Sequence, residues 1–290
     1  LEVFYVKSRD MIATVIHWGT SPEITKLFGV FPLTYYGLLF TGGIALAYFM
    51  MAWIYRREGI GDEQFDRLSI YVVLGTIIGA RLGHFLFYQP EYLWKAPLEV
   101  VLPIAKVDGG VYQFDGYRGL ASHGGIIGII IAVILYCRKT KLSFLWVADR
   151  LAVVAPVTCV FIRVGNFMNS EIIGKPTGGD YGVVFRLVDA IPRHPAQLYE
   201  AIAYLLVFSM MIMLYRRNVK PDGFIFGIFL ILLFSARFGI EFFKEEQVAF
   251  ERGMTLNMGQ WLSIPFILIG SALAAHRRKS AVNNEYGHAY

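Results

Sequence analysis

The chain is poor in charge and in cysteine. Of its 290 residues only 17% are charged and two are cysteine, whereas 56% are hydrophobic. Soluble domains carry roughly 25% charged residues, so the deficit excludes an ordinary water-soluble fold. Cys137 and Cys159 lie in or beside apolar segments, which argues against a disulfide framework. The six histidines show no H-E-x-x-H spacing and no cysteine cluster accompanies them, so no metal site is expected. A G-x-S-x-G nucleophile elbow is missing, and so is any internal repeat of the kind that builds many secondary transporters. Residues 1–10 mix Glu2, Lys7, Arg9 and Asp10 without the apolar stretch of a signal peptide, and Met11 reads as the natural start. The net charge of +5 does not indicate nucleic acid, because the excess gathers at helix ends.

What is present is apolar sequence in membrane-length runs. Crossing a ~30 Å hydrocarbon core as helix takes about 20 residues. Seven such spans can be drawn, at about 33–55, 68–88, 121–137, 145–167, 197–215, 223–243 and 258–275. The expectation is an all-α, polytopic membrane protein, a single integral membrane domain over residues 1–290. Cationic clusters alternate with the spans. Arg56, Arg57 and Arg67 flank the first hairpin, and Arg138, Lys139 and Lys141 separate spans three and four. Arg216, Arg217 and Lys220 separate five and six, and Arg277, Arg278 and Lys279 follow seven. The positive-inside rule then puts the N-terminus outside and the C-terminus in the cytoplasm. The larger connections, 89–120 and 168–196, fall outside. The second carries Gly174, Pro176, Gly178, Gly179 and Pro192, the mark of a folded external loop between spans four and five.

Glycines recur one turn apart at Gly75, Gly79 and Gly83 in span two, and at Gly124 and Gly128 in span three. Such ladders let helix backbones approach closely. With the orientation above, polar residues of six spans gather at one depth near the outer headgroups. They are Tyr36, Arg81, His123, Arg163 with Asn166, the group His194, Gln197 and Glu200, and Arg237 with Glu241. An arginine at the centre of a spanning helix costs roughly 2.5–3.5 kcal/mol, less near an end. Taken alone, Arg163 reads equally as an interfacial arginine snorkelling to the headgroups. The one-sided gathering favours a convergent site.

Arg81, Arg163 and Arg237 offer permanently charged, planar donor forks suited to phosphate. His123 adds an imidazole suited to accept a proton near neutral pH. The set looks equipped to hold a lipid phosphate and move a proton, with any nucleophile supplied by a substrate. A transporter for an anionic solute would also need membrane arginines, but with charges near the midplane and repeat symmetry. A lipid-binding protein without catalysis would need the phosphate clamp and no proton acceptor.

Several strings carry a resemblance. They are Tyr35-Tyr36-Gly37, Ser122-His123-Gly124-Gly125-Ile-Ile-Gly128 and Arg163-x-x-Asn166-Phe-x-Asn169-x-Glu171-x-x-Gly174. With them stand Arg193-His194-Pro195-x-Gln197-Leu198-Tyr199-Glu200, Arg237-Phe-x-x-Glu241-Phe and Met258-Gly259-Gln260-x-Leu-Ser263. In order and from span one to span seven, these strings resemble the prolipoprotein diacylglyceryl transferase family, whose signature is the arginine-to-glycine string. The resemblance implies a seven-helix bacterial inner-membrane enzyme without metal or organic cofactor, its active site towards the outer leaflet. It implies transfer of the diacylglyceryl group of phosphatidylglycerol to the lipobox cysteine of prolipoproteins. Carried over, the essential residues fall on Tyr36, His123, Arg163, Asn166, Glu171, Gly174, Arg237 and Glu241. Arg163, Asn166 and Arg237 would hold the phosphate, with Arg81, Glu171, Gly174 and Glu241 completing the lipid site. His123 would take the thiol proton or only orient a partner. Two positions depart from the family: Leu233 replaces a tyrosine of some members, and Lys244 stands where arginine also occurs. On sequence grounds Lys244 stays outside the site, since it lacks the bidentate fork.

Overall fold

The structure, a computed structural model, describes all residues except 1, 9–10, 28–30, 103, 107–111, 115–118, 218–220, 247–250, 252 and 287–290. Arg9, Asp10 and Lys220 therefore lie outside the described residues, as do the side chains of Arg277, Arg278 and Lys279. Among the described residues seven helices are long and apolar enough to cross a membrane. They belong to α1 (Tyr35–Arg57), α2 (Asp62–Tyr88), α5 (Ser122–Thr140), α6 (Phe144–Met168), α7 (Ala196–Arg216), α8 (Phe224–Ile240) and α9 (Met258–Tyr286). Two short helices, α3 (Tyr92–Lys95) and α4 (Pro97–Val101), follow α2. The expected spans agree with these helices to within a few residues at most ends; α9 runs eleven residues past the drawn end, and α2 starts six residues earlier than drawn. Its first turn carries Asp62 and Glu63, acids that favour a helix N-terminus and give no hydropathy signal.

The chain divides into two compact units, residues 52–147 and residues 1–51 with 148–290. In the 52–147 unit the glycine ladders mesh. A Cβ at Gly75 would lie 2.7 Å from the Gly128 carbonyl oxygen, and one at Gly83 would lie 2.5 Å from the Gly124 Cα. Backbone meets backbone at both points, with the Ala132 methyl also 2.6 Å from the Gly75 position, so α2 and α5 pack at close approach. Below the ladder Tyr55 and Tyr136, both wholly buried, share a 3.2 Å hydrogen bond between their hydroxyls.

In the other unit α8 and α9 pack through Gly227 and Gly270, with Phe234 stacked on Phe266 at 4.3 Å. Asp149, buried on α6, accepts hydrogen bonds of 2.7 Å from the Gly223 and Phe226 amides. Its carboxylate thereby caps the start of α8 from a neighbouring helix and satisfies two amides that have no partner within their own helix.

The connections are richer in structure than an all-helical reading anticipates. Strands β1 (Glu2–Ser8), β2 (Met11–Trp18), β7 (Gly182–Phe185) and β8 (Pro192–Arg193) form one sheet in that order, with β2 and β7 parallel. Short two-stranded ribbons pair β3 (Glu23–Leu27) with β4 (Phe31–Thr34) and β5 (Ile104–Lys106) with β6 (Tyr112–Phe114). The 168–196 connection is folded as expected: Phe167, Val183 and Phe185 form its core against Trp18, whose ring lies 4.7 Å from that of Phe167.

Candidate active site

The signature string gets its geometry from the end of α6. Arg163 and Asn166, at i and i+3, leave one face of the helix, and the Arg163 Nη1 donates to Asn166 Oδ1 at 3.2 Å. The Asn166 amide in turn donates to Glu171 Oε2 at 3.1 Å, while Asn169 donates to the other Glu171 oxygen at 3.0 Å. Glu171 is flanked by Ser170 and Ile172, both at a left-handed φ of 55°. For a β-branched residue such as Ile172 this conformation is a true outlier, with a cost of order 1–3 kcal/mol. The strain turns the chain sharply and brings the Glu171 carboxylate back to the two asparagines.

Gly174 then meets a distant segment of the chain. It forms an isolated antiparallel bridge with Lys244, and the Lys175 amide donates to the Phe243 carbonyl at 2.8 Å. A side chain at Gly174 would strike the His194 and Phe243 carbonyls, so close approach of backbone demands glycine here. Beside it Arg193 binds Asp189 and Glu245, each at 2.7 Å, and the Arg193 guanidinium holds the Asp189 carboxyl below its ordinary range.

The bridge carries Lys244 into the interior, where its side chain is 2% exposed. Lys244 Nζ donates to Glu200 Oε1 and to Glu241 Oε2, both at 3.0 Å. Glu200, wholly buried on α7, also accepts from the Tyr204 hydroxyl at 3.0 Å. Its second oxygen lies 2.9 Å from Arg163 Nε, off the line of a hydrogen bond, as an ion pair. Two cations and two carboxylates thus neutralise one another among α6, α7 and the turn after α8. Sequence reading left Lys244 out. Its position depends on the bridge to Gly174, a pairing across some 70 residues for which the local sequence carries no signal.

Arg237 is different. It stands one turn before Glu241 on α8, in electrostatic range of Cys159 and Tyr204, yet its guanidinium makes no hydrogen bond or ion pair with a described residue. Tyr36, on the first turn of α1, lies in range of Glu171 and Arg163, and its ring fills the space that a side chain at Gly165 would occupy. Tyr36, Arg163, Asn166, Glu171, Gly174, Arg237 and Glu241 therefore all belong to one compact unit.

Arg81 and His123 belong to the other. Arg81 is buried, with Nε donating to the Val100 carbonyl at 3.0 Å, Nη2 donating to the Glu99 carbonyl, and the guanidinium 4.7 Å from the centre of the Phe85 ring. These bonds fasten the segment that contains α4 to α2. His123 is exposed on the first turn of α5, between the buried Gly124 and the chain leading in from Ala121.

A model of the prolipoprotein diacylglyceryl transferase family matches residues 22–276, nearly the whole chain. The chain belongs to this family. Phosphatidylglycerol–prolipoprotein diacylglyceryl transferase of Bacteroides fragilis is 51% identical over 257 residues, covering 88% of this chain and 92% of that one. The transferase of Tolumonas auensis is 47% identical over 261 residues, covering 89% and 96%, and that of Chloroherpeton thalassium 39% over 272, covering 93% and 97%. As a multi-pass membrane transferase of this family, the protein has the seven helices that the apolar runs announced.

Proposed function

We propose that the protein transfers the diacylglyceryl group of phosphatidylglycerol to the lipobox cysteine of prolipoproteins in a bacterial inner membrane. The observation that carries this reading is the Arg237 guanidinium, without a partner among the described residues, beside a cluster whose other cations are already neutralised. A lone fixed positive charge in a low-dielectric site is suited to a phosphate diester and to the phosphate that leaves.

In this mechanism Arg237 meets the lipid phosphate, and Arg163 supports it through the Asn166 and Glu200 contacts. Glu171, Gly174 and Glu241 shape the same lipid site, and Tyr36 faces the reacting groups. Arg81 is given a positioning role, through the carbonyls of the α4 segment. His123 takes the proton of the cysteine thiol, whose ordinary pKa of about 8.5 leaves only a few per cent thiolate at neutral pH. The thiolate attacks C3 of the diacylglyceryl group. The C3–O bond breaks with its electrons going to the phosphate oxygen, a thioether forms, and glycerol 1-phosphate departs. No cofactor enters the scheme. The partners are phosphatidylglycerol, the prolipoprotein signal peptide and the bilayer.

The orientation proposed with it has the N-terminus and the 168–196 loop outside, the C-terminus inside and the site at the outer leaflet. Purified protein in detergent, given phosphatidylglycerol and a lipobox peptide, should yield the lipidated peptide and glycerol 1-phosphate in equal amounts. Lipid binding with no product would leave a lipid-binding protein, and solute flux without product a transporter. In intact cells an impermeant thiol reagent should label Gly179→Cys and spare Ser280→Cys; the reverse pattern would invert the topology.

A further inference from the structure

Arg237 and Glu241 stand at i and i+4, the spacing at which opposite charges on a helix ordinarily pair. Here they do not. Glu241 Oε2 accepts from Lys244 Nζ at 3.0 Å, and the Arg237 guanidinium has no partner among the described residues. Two further features hold Glu241 in that direction. Its carboxylate lies over Gly259 on the first turn of α9, where a Cβ would come within 2.5 Å of the Glu241 Cδ and 2.6 Å of Oε1. That turn is itself fixed by a reciprocal cap, in which the Gln260 amide donates to Asn257 Oδ1 at 3.0 Å and the Asn257 amide to Gln260 Oε1 at 3.1 Å. The positive end of α9 therefore faces the carboxylate as well.

We infer that Lys244 is a positioning residue for the transfer reaction: it holds Glu241 against the start of α9 and so keeps Glu241 off Arg237, leaving that guanidinium open for a phosphate diester. Glu200 is the second carboxylate Lys244 restrains, and Arg163 and Tyr204 already hold it from the other side. Removal of the Lys244 ammonium thus frees mainly Glu241. A buried carboxylate without its cation seeks another, and Arg237 is the cation one turn away. The lipid phosphate then has to compete with an internal carboxylate for the same guanidinium. The inference rests on the proposed phosphatidylglycerol reading of the site.

The test measures phosphatidylglycerol binding and transfer rates on purified protein in detergent for wild type, Lys244→Met, Lys244→Arg, Glu241→Gln and the Glu241→Gln/Lys244→Met pair. Lys244→Met is expected to weaken lipid binding, and to raise KM for the lipid, at least tenfold while kcat falls less than threefold. Lys244→Arg, which keeps a cation for Glu241, should stay within threefold of wild type. In the Glu241→Gln background the second change should matter little, with lipid binding of the pair within twofold of Glu241→Gln alone. A Lys244→Met enzyme with normal binding would overturn the inference, as would a loss confined to kcat. If Lys244→Met does not fold, the pair, which buries no unpartnered carboxylate at that point, still decides. Binding more than fivefold weaker than Glu241→Gln alone would mean that Lys244 acts by another route. A wild-type protein that fails to transfer would refute the functional reading, whereas a wild-type enzyme with indifferent Lys244 variants refutes only the inference.

Discussion

Arg163→Lys tests how the signature arginine acts. Arg163 uses two separate nitrogens, Nε toward Glu200 at 2.9 Å and Nη1 toward Asn166 at 3.2 Å. A lysine has one nitrogen and keeps one contact; the ion pair with the buried Glu200 is the stronger, so the Asn166 contact is lost. A hydrogen bond from a charged donor contributes about 1.5–3 kcal/mol. Arg163 keeps 14% of its side chain exposed, which favours the lower part of that range. About 1.5–2 kcal/mol, if spent on the transition state, corresponds to roughly a 10- to 30-fold loss of kcat/KM. Initial rates of diacylglyceryl transfer to a lipobox peptide measure it, beside thermal unfolding in the same detergent. Because the lost contact is to Asn166, Arg163→Lys should add less than twofold in an Asn166→Ala background, where the Asn166–Glu171 bond is already absent. Transfer within twofold of wild type by a folded Arg163→Lys protein would refute the reasoning and make Arg163 a point charge for Glu200. Full additivity with Asn166→Ala would do the same for the Asn166 relay.

His123→Gln should retain lipid binding and lose about 10²–10⁴-fold in turnover, with the deficit shrinking as pH rises toward the thiol pKa; a small, pH-independent loss would leave His123 as a hydrogen-bonding partner. Gly79→Ala would set its Cβ 2.7 Å from the Gly128 Cα, so the α2–α5 pair must part at a cost of about 1–3 kcal/mol, seen as a lower Tm. Gly239→Ala, with nothing within 4 Å, should not lower it. Asp149→Ala leaves two amides at the start of α8 without their acceptor and should destabilise by about 3 kcal/mol in detergent unfolding, with Asp149→Asn costing roughly half as much. The Asp189 carboxyl is held low by Arg193, so its contribution is present above the ordinary aspartate pKa of about 3.9 and is lost as pH falls through the lowered value. Amide-exchange protection of Val183 and Val184, corrected for intrinsic rates, should therefore be flat from pH 8 to 5 and decline only below about pH 4. A decline between pH 7 and 5 would point to another group.

Sequence alone determined what depends on local pattern. A hydrocarbon core admits backbone only as helix or closed barrel, so apolar runs of about 20 residues specify the seven helices directly. The glycines of α2 and α5 were legible for the same reason: a four-residue spacing puts them on one face whatever the partner is. Likewise Arg163, Asn166 and Glu171 stand within nine residues, and their mutual contacts follow from one helix end and one tight turn. What only the tertiary structure decided is who neutralises whom. Lys244 reaches Glu200 because the Gly174 bridge joins segments some 70 residues apart, and β2 finds β7 across more than 160 residues. Arg81 looks like Arg237 in sequence, a lone arginine on a spanning helix, yet its donors go to the α4 carbonyls whereas Arg237 has no partner among the described residues. The difference lies in packing. Charge in an apolar medium is stabilised only by groups within a few ångströms, and those neighbours come from elements far away along the chain.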